Sequence, residues 1–219
     1  GGKSTTISIG VIQQLKEELE EAPRAIVVVP TKEKAFEMET EFEKLGKNTS
    51  LRTFVAFDQG DFNYQKDMIY EGLDILIATP GRLLDLHNQG ALNFRSLEVI
   101  VLDEADRMLS MGFYPDMRQV QRYLPDRPIN SCMFSATFPV SVKNTAREFM
   151  HTPEFLSLSQ DHVHVTDTEH VFYVVPPMEK DRSLVRIIET IGNGLRLTGP
   201  DCLRGVARWD VWRIWQWLA

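Results

Sequence analysis

Two adjacent carboxylates, Asp103 and Glu104, directly follow Glu98–Leu102, a run that ends in four apolar residues. If that run is a strand, both acids stand at its carboxyl end, where their mutual repulsion must be offset by a partner or a metal. Such a pair suits magnesium chemistry: Asp103 holds the ion through water, and Glu104 positions and deprotonates an attacking water. The plainer alternative is a solvated helix N-cap formed by Asp103. The opening residues Gly1-Gly2-Lys3-Ser4-Thr5 contain Gly2-Lys3-Ser4, the last three positions of a phosphate-binding loop. There, small residues let backbone N–H groups close on phosphate, the Lys adds charge and the Ser hydroxyl reaches magnesium. A helix over Thr5–Leu19 would point its N-terminus at the phosphates, although G-K-S alone also suits an unstructured terminus. Thr79-Pro80-Gly81-Arg82 forms a strand-to-helix turn that could offer N–H groups and a guanidinium to an anion, or be a plain structural turn. Ser135-Ala136-Thr137 places two hydroxyls after another short strand and before a helix led by Pro139; by itself it is a capping sequence.

These residues need a scaffold that collects strand ends. Apolar runs of strand length recur at Ala25–Val29, Leu51–Phe57, Asp74–Ala78, Val99–Leu102, Cys132–Phe134 and Phe155–Leu158. Their continuous apolar character suits strands buried on both faces. Between them, Ile7–Glu20, Lys32–Leu45, Arg82–Asn88, Asp116–Leu124 and Val140–Phe149 space apolar residues near the helical period. A short helix starts at Asp106 and Arg107, with Met108 and Leu109 turned inward. Strands alternating with helices predict an α/β fold, a doubly wound and mostly parallel sheet with ligands at the carboxyl ends of its strands.

Composition narrows the function. A net charge of −7 over 219 residues argues against a general electrostatic glue for phosphate polymers, so any nucleic-acid contact must be local. No stretch approaches 18 uninterrupted apolar residues, which argues against a membrane span. No basic and then apolar leader is present, and a reducing cytoplasmic setting fits the two cysteines, Cys132 and Cys202, read as a buried thiol and a spare one rather than a metal or redox pair. His162, His164 and His170 lack metal-ligand spacing. Residues 16–21 read as a solvated helix end, and Phe36, Phe42 and Phe54 as core. Beyond Thr190 lysine vanishes, and the four tryptophans appear at 209, 212, 215 and 217 among four Arg, Asp201 and Asp210. That tail is either an amphipathic partner helix or a segment foreign to the native frame or fold.

The order and spacing of the four motifs resemble the first RecA-like domain of the DEAD-box RNA helicases, across about residues 1–190. The resemblance implies a P-loop NTPase fold, with residues 191–219 as a non-matching C-terminal tail. Because the first residue falls inside a motif, the chain is expected to be a fragment lacking the start of the phosphate loop, the adenine-recognising segment and the second RecA-like domain. By resemblance, Gly1, Gly2, Lys3, Ser4 and Thr5 belong to the ATP site, Ser4 and Asp103 hold Mg2+, and Asp103 and Glu104 are catalytic. Asp106, Ser135, Ala136 and Thr137 match the segment coupling nucleotide state to RNA. Pro30, Thr31, Gly60, Thr79, Pro80, Gly81 and Arg82 match turns that touch the RNA backbone, with little sequence preference implied.

Two departures stand out. Pro30-Thr31-Lys32-Glu33-Lys34-Ala35 occupies the place of the family's P-T-R-E-L-A, so an Arg fork has become Lys and a Leu has become charged, which weakens bidentate phosphate recognition. The family's Gly-Gly turn has become Asp58-Gln59-Gly60, and Asp58 would repel a phosphate it faced. The expectation is an ATP-dependent RNA helicase fragment, weak or inactive in isolation, because positioning supplies most of phosphoryl-transfer catalysis. The rivals are a non-hydrolysing RNA- or partner-binding module and a non-functional truncated product.

Overall fold

A computed structural model describes residues 2–15, 22–157 and 174–191. Residues 16–21, the three histidines after His151, Cys202 and the tryptophan-rich tail lie outside the described residues. The chain divides into one compact unit ending at Phe155 and a second from Leu156. The described part of the second unit is a 3-10 turn, Pro177–Glu179, and a helix, Lys180–Ile191.

Five strands build the first unit: β1 (Ala25–Val28), β2 (Thr53–Ala56), β3 (Ile75–Ala78), β4 (Val99–Leu102) and β5 (Asn130–Met133). They form one sheet in the order β2-β3-β1-β4-β5, every pair parallel. Burial on both faces follows from the alternation of side chains in a strand. Ile26, Val28, Leu76, Ala78, Ile100 and Leu102 enter one core, and Ala25, Val27, Ile75, Ile77, Val99 and Val101 enter the other. Helices α1 (Lys3–Gln14) and α2 (Lys32–Gly46) cover the second core through Ile7, Val11, Ala35, Met38 and Phe42. The first core is covered by α3 (Phe62–Tyr70), α4 (Pro80–Asn88), α5 (Ala105–Ser110), α6 (Tyr114–Tyr123) and α7 (Val140–Phe149).

The register positions the chemistry. Val28 pairs with both Ala78 and Leu102, Ala56 pairs with Ala78, and Leu102 pairs with Met133, so the carboxyl ends of all five strands are level. Whatever follows each strand therefore emerges along one edge. At the opposite end, buried Asp74 accepts from Arg24 Nη2 (3.1 Å) and from the Arg52 backbone N–H (2.8 Å), tying the starts of β1, β2 and β3 together.

Several expectations need correction. Residues 155–157 form no strand, and Phe155 and Leu156 are exposed. Helix α1 starts at Lys3, immediately after Gly2, whose φ of 103° suits a residue without a side chain, and it ends at Gln14 where Leu15 turns extended. Helix α3 escaped the sequence reading because it buries only Gln65 and Ile69 and has almost no apolar stripe, although Asp61 Oδ1 caps it by accepting from Tyr64 N (2.7 Å). Phe42 is core, but Phe36 is 46% exposed and packs edge-on against Phe57. Cys132 is exposed rather than buried because β5 is an edge strand with one open face.

Candidate functional site

At the end of β4, Asp103 is completely buried; its N–H extends the ladder to Val28 O (2.9 Å), and its Oδ1 accepts from Glu104 N (2.9 Å). Its Oδ2 is buried without a hydrogen-bond partner. That arrangement rules out the solvated N-cap, since α5 is capped by Glu104 with no side-chain bond. Glu104 lies in the left-handed region (φ 53°, ψ 48°), a conformation costing a non-glycine residue about 1 kcal/mol or more and found mostly where a site demands it. Its carboxylate is held at 3.0 Å by Arg107 Nη1 and lies 4.0 Å from Lys34 Nζ.

Facing this pair is the first turn of α1. The amides of Lys3, Ser4 and Thr5 have no carbonyl within their own helix to bond, and the turn carries no acidic residue. Ser4 Oγ donates to Glu37 Oε1 (2.9 Å) and accepts from Lys34 Nζ (3.0 Å). Thr5 is turned away, donating to Glu41 Oε2 (2.8 Å) on α2. Lys3 is exposed, and Gly1 lies outside the described residues.

Lys34 is the residue the sequence reading undervalued. Its side chain is 9% exposed, with Nζ 2.8 Å from Glu37 Oε1, 3.6 Å from Asp103 Oδ2 and 4.0 Å from Glu104 Oε1. Burial opposes its charge, but the Glu37 hydrogen bond and the neighbouring carboxylates prevail and raise its pKa above the ordinary lysine value. The hydrogen bond from Lys34 holds Glu37 below the usual carboxylate range. Desolvation pushes Asp103 up despite Lys34. A signal for Lys34 existed: on α2 it falls in register with Met38 and Phe42, the inward stripe, where a charge needs a buried partner.

From β4 to β5, Asp106 Oδ2 accepts from Thr137 N (3.0 Å) and Thr137 Oγ1 (2.8 Å), Asp106 N donates to Ser135 Oγ (3.1 Å), and Ser135 Oγ donates to Thr137 O (2.7 Å). These bonds outweigh desolvation and lower the Asp106 pKa. Ala136 is the exposed link between the two hydroxyls.

The expected nucleic-acid turns line the β1, β2 and β3 ends. Pro30 is buried, and Thr31 caps α2 by accepting from Lys34 N (3.3 Å). Thr79 Oγ1 donates to Asp58 Oδ2 (2.8 Å), Pro80 occupies the first turn of α4, and a Cβ on Gly81 would stand 2.6 Å from Asp58 Oδ1. Arg82 does not present its guanidinium outward: it is 5% exposed and donates to Gln65 Oε1 (3.0 Å), Asp58 O (2.6 Å) and Gly60 O (3.1 Å). Gly60 is required because a Cβ there would collide with the Gln65 amide, which itself bonds both polar backbone groups of Phe57. Gln65 was missed for the same reason as α3.

The comparisons agree with this geometry. The family model described as DEAD/DEAH box helicase matches residues 1–145. The chain is 34% identical over 199 residues to the ATP-dependent RNA helicase RhlB of Pseudomonas syringae pv. tomato, covering 87% of this chain and 50% of that protein. It is 32% identical to the ATP-dependent RNA helicase vasa of Drosophila melanogaster, covering 88% of this chain and 30% of that one. A DEAD box protein from the hyperthermophile Methanococcus jannaschii superposes with a TM-score of 0.69 at 27% identity, over 89% of this chain and 51% of that one. The chain thus spans about half the length of the RhlB relative and less of vasa. None of its described helices is long and apolar enough to cross a membrane. With its parallel strand-end carboxylates, its first-turn Lys3-Ser4 and this match across residues 1–145, the chain is a RecA-like α/β member of the DEAD/DEAH box helicase family.

Proposed function

We propose that this chain is a nucleotide-binding part of an ATP-dependent RNA helicase, in which ATP binding and hydrolysis are coupled to holding RNA. The observation carrying the reading is Asp103 Oδ2, a buried carboxylate oxygen without a hydrogen-bond partner, in the same cluster as the Ser4 hydroxyl of the α1 first turn. Lone-pair oxygens from Ser4, Asp103 and Glu104 are a hard donor set that fits magnesium, which such ions hold partly through water. When bound, the ion would neutralise phosphate charge.

The chain's own groups have separable tasks. The α1 first-turn amides and Lys3 bind the phosphates, with Gly2 allowing the sharp entry to the helix. Ser4 and Asp103 would hold the ion when it is bound. Glu104, whose carboxylate lies in the same cluster 4.0 Å from Lys34 Nζ, orients a water and takes its proton. Asp106 ties this strand end to Ser135 and Thr137, so a shift at Glu104 reaches the β5 turn through two residues of backbone. The turns at Pro30, Thr31, Gly60, Thr79, Pro80 and Gly81 offer main-chain contacts to an RNA backbone, while Arg82 braces them from inside. Residues 1–190 are proposed as the family domain and 191–219 as a tail outside it; ending the chain near Thr190 should leave nucleotide affinity unchanged.

Nucleotide affinity of the 219-residue chain, measured with and without single-stranded RNA and beside Lys3→Ala, tests the reading. Nucleotide binding lost in Lys3→Ala supports it. Equal binding by both chains, or none by either, sinks it.

A further inference from the structure

The nucleotide site already contains a cation. The Lys34 ammonium lies 3.0 Å from Ser4 Oγ, 3.6 Å from Asp103 Oδ2 and 4.0 Å from Glu104 Oε1, the same three side chains that form the hard donor set for magnesium. It is fixed from the far side by Glu37 at 2.8 Å, and its stem is buried on the inward stripe of α2. Among the described residues Lys34 is the cation within 4 Å of Asp103. The ammonium spends hydrogen bonds on Ser4 and Glu37 but reaches Asp103 Oδ2 only as a charge, because that oxygen has no hydrogen-bond partner. Asp103 and Glu104 carry two negative charges against the one on Lys34, so the donor set is partly neutralised before any divalent ion arrives.

We propose that Lys34 is a tethered counter-cation in the magnesium seat, so that this chain binds a nucleoside diphosphate with little or no help from divalent metal. A second positive charge entering the same cluster meets Lys34 at close range, and like charges about 4 Å apart in a protein repel by more than a tenfold change in binding constant. The ammonium meanwhile supplies beside the α1 first turn part of the charge that magnesium would bring to the phosphates. The inference rests on the nucleotide-site reading above.

The test is ADP affinity of the full 219-residue chain, by titration calorimetry in EDTA and in excess Mg2+, for wild type, Lys34→Met and Lys34→Gln. In wild type the two affinities should agree within about twofold. Without the ammonium, Mg2+ should strengthen ADP binding by about tenfold or more. The glutamine variant keeps a hydrogen-bond donor without the charge and serves if the methionine variant does not fold; the wild-type ratio is decisive without either. A wild-type affinity that rises tenfold with Mg2+ overturns the proposal and leaves the nucleotide site standing, as does an equal ratio in all three chains. No ADP binding by wild type under either condition overturns the nucleotide-site reading and the proposal together.

Discussion

Two stretches of the strand-end edge solve the same electrostatic problem differently. At β4, one ammonium, Lys34, serves the three carboxylates of Glu37, Asp103 and Glu104, so the cluster with Ser4 is only partly neutralised, leaves Asp103 Oδ2 without a hydrogen bond and holds Glu104 in a strained backbone conformation. At β2 and β3, Asp58, Gly60, Gln65, Thr79 and Arg82 bond one another, with three of the Arg82 contacts at 2.6–3.1 Å. The first region keeps unspent polar capacity where a ligand can use it. The second has spent most of its side-chain capacity on holding a turn, with Arg82 bonded through Nη1 and Nη2 while its buried Nε has no hydrogen-bond partner. A strained backbone beside an unpaired carboxylate oxygen marks a reactive centre, whereas a guanidinium bonded through two of its three nitrogens to a turn marks a brace.

The largest expected effect separates chemistry from bracing at the first region. Glu104→Gln should lower ATP turnover by about 10²-fold or more while changing ADP affinity less than twofold; unchanged turnover would remove Glu104 from the chemistry. Next, Arg82→Ala should destabilise the fold by about 3 kcal/mol, because Gln65, Asp58 O and Gly60 O lose a charged donor. Urea denaturation reads this, and a loss below about 1 kcal/mol would mean that the turn does not depend on its brace. Smaller still, Asp58→Asn preserves an acceptor for Thr79 Oγ1 while removing a negative charge beside the α4 N-terminus. Its affinity for single-stranded RNA should rise about threefold at low salt, with the gain shrinking as salt is raised; no salt-sensitive gain would show that phosphate does not approach this turn.

The smallest effect is a pH dependence on the β5 side of the first region. Desolvation opposes the Asp106 charge, but Thr137 N and Thr137 Oγ1 donate to its carboxylate and hold its folded pKa below the ordinary value. Its contribution is complete above the ordinary carboxylate range, about pH 4, and is lost as pH falls through the lower folded value. Thermal midpoints measured from pH 6 to pH 3 should fall less steeply in Asp106→Asn than in wild type; identical slopes would mean that the β4–β5 stitch adds nothing.

Much of the site was legible because strand-end chemistry is local. Asp103-Glu104 after an apolar run, hydroxyls after Phe134 and Gly2-Lys3-Ser4 before a helix each left a plainer alternative open singly, and their order and spacing along the chain placed them together. Partners that meet across the fold left weaker traces. Gln65 lies on a helix with almost no apolar stripe, and Arg82 reads as an exposed guanidinium until its three acceptors, from residues 58, 60 and 65, are brought beneath it. Thr5 belongs to the same short motif as Ser4, but one step around α1 carries its hydroxyl to Glu41 instead.

The sequence by itself determined the α/β alternation, the five strand positions to within a few residues and the identity of the acidic pair, because hydrophobic period and turn chemistry are written in consecutive residues. Only the tertiary structure decided that the strand ends are level, that Glu104 takes a left-handed backbone and that Lys34 lies among Ser4, Asp103 and Glu104. Those facts depend on packing α1 and α2 over one face of the sheet. Residues 4, 34 and 103 meet there through no local rule, and the balance between desolvation and charge pairing is struck only once they are close.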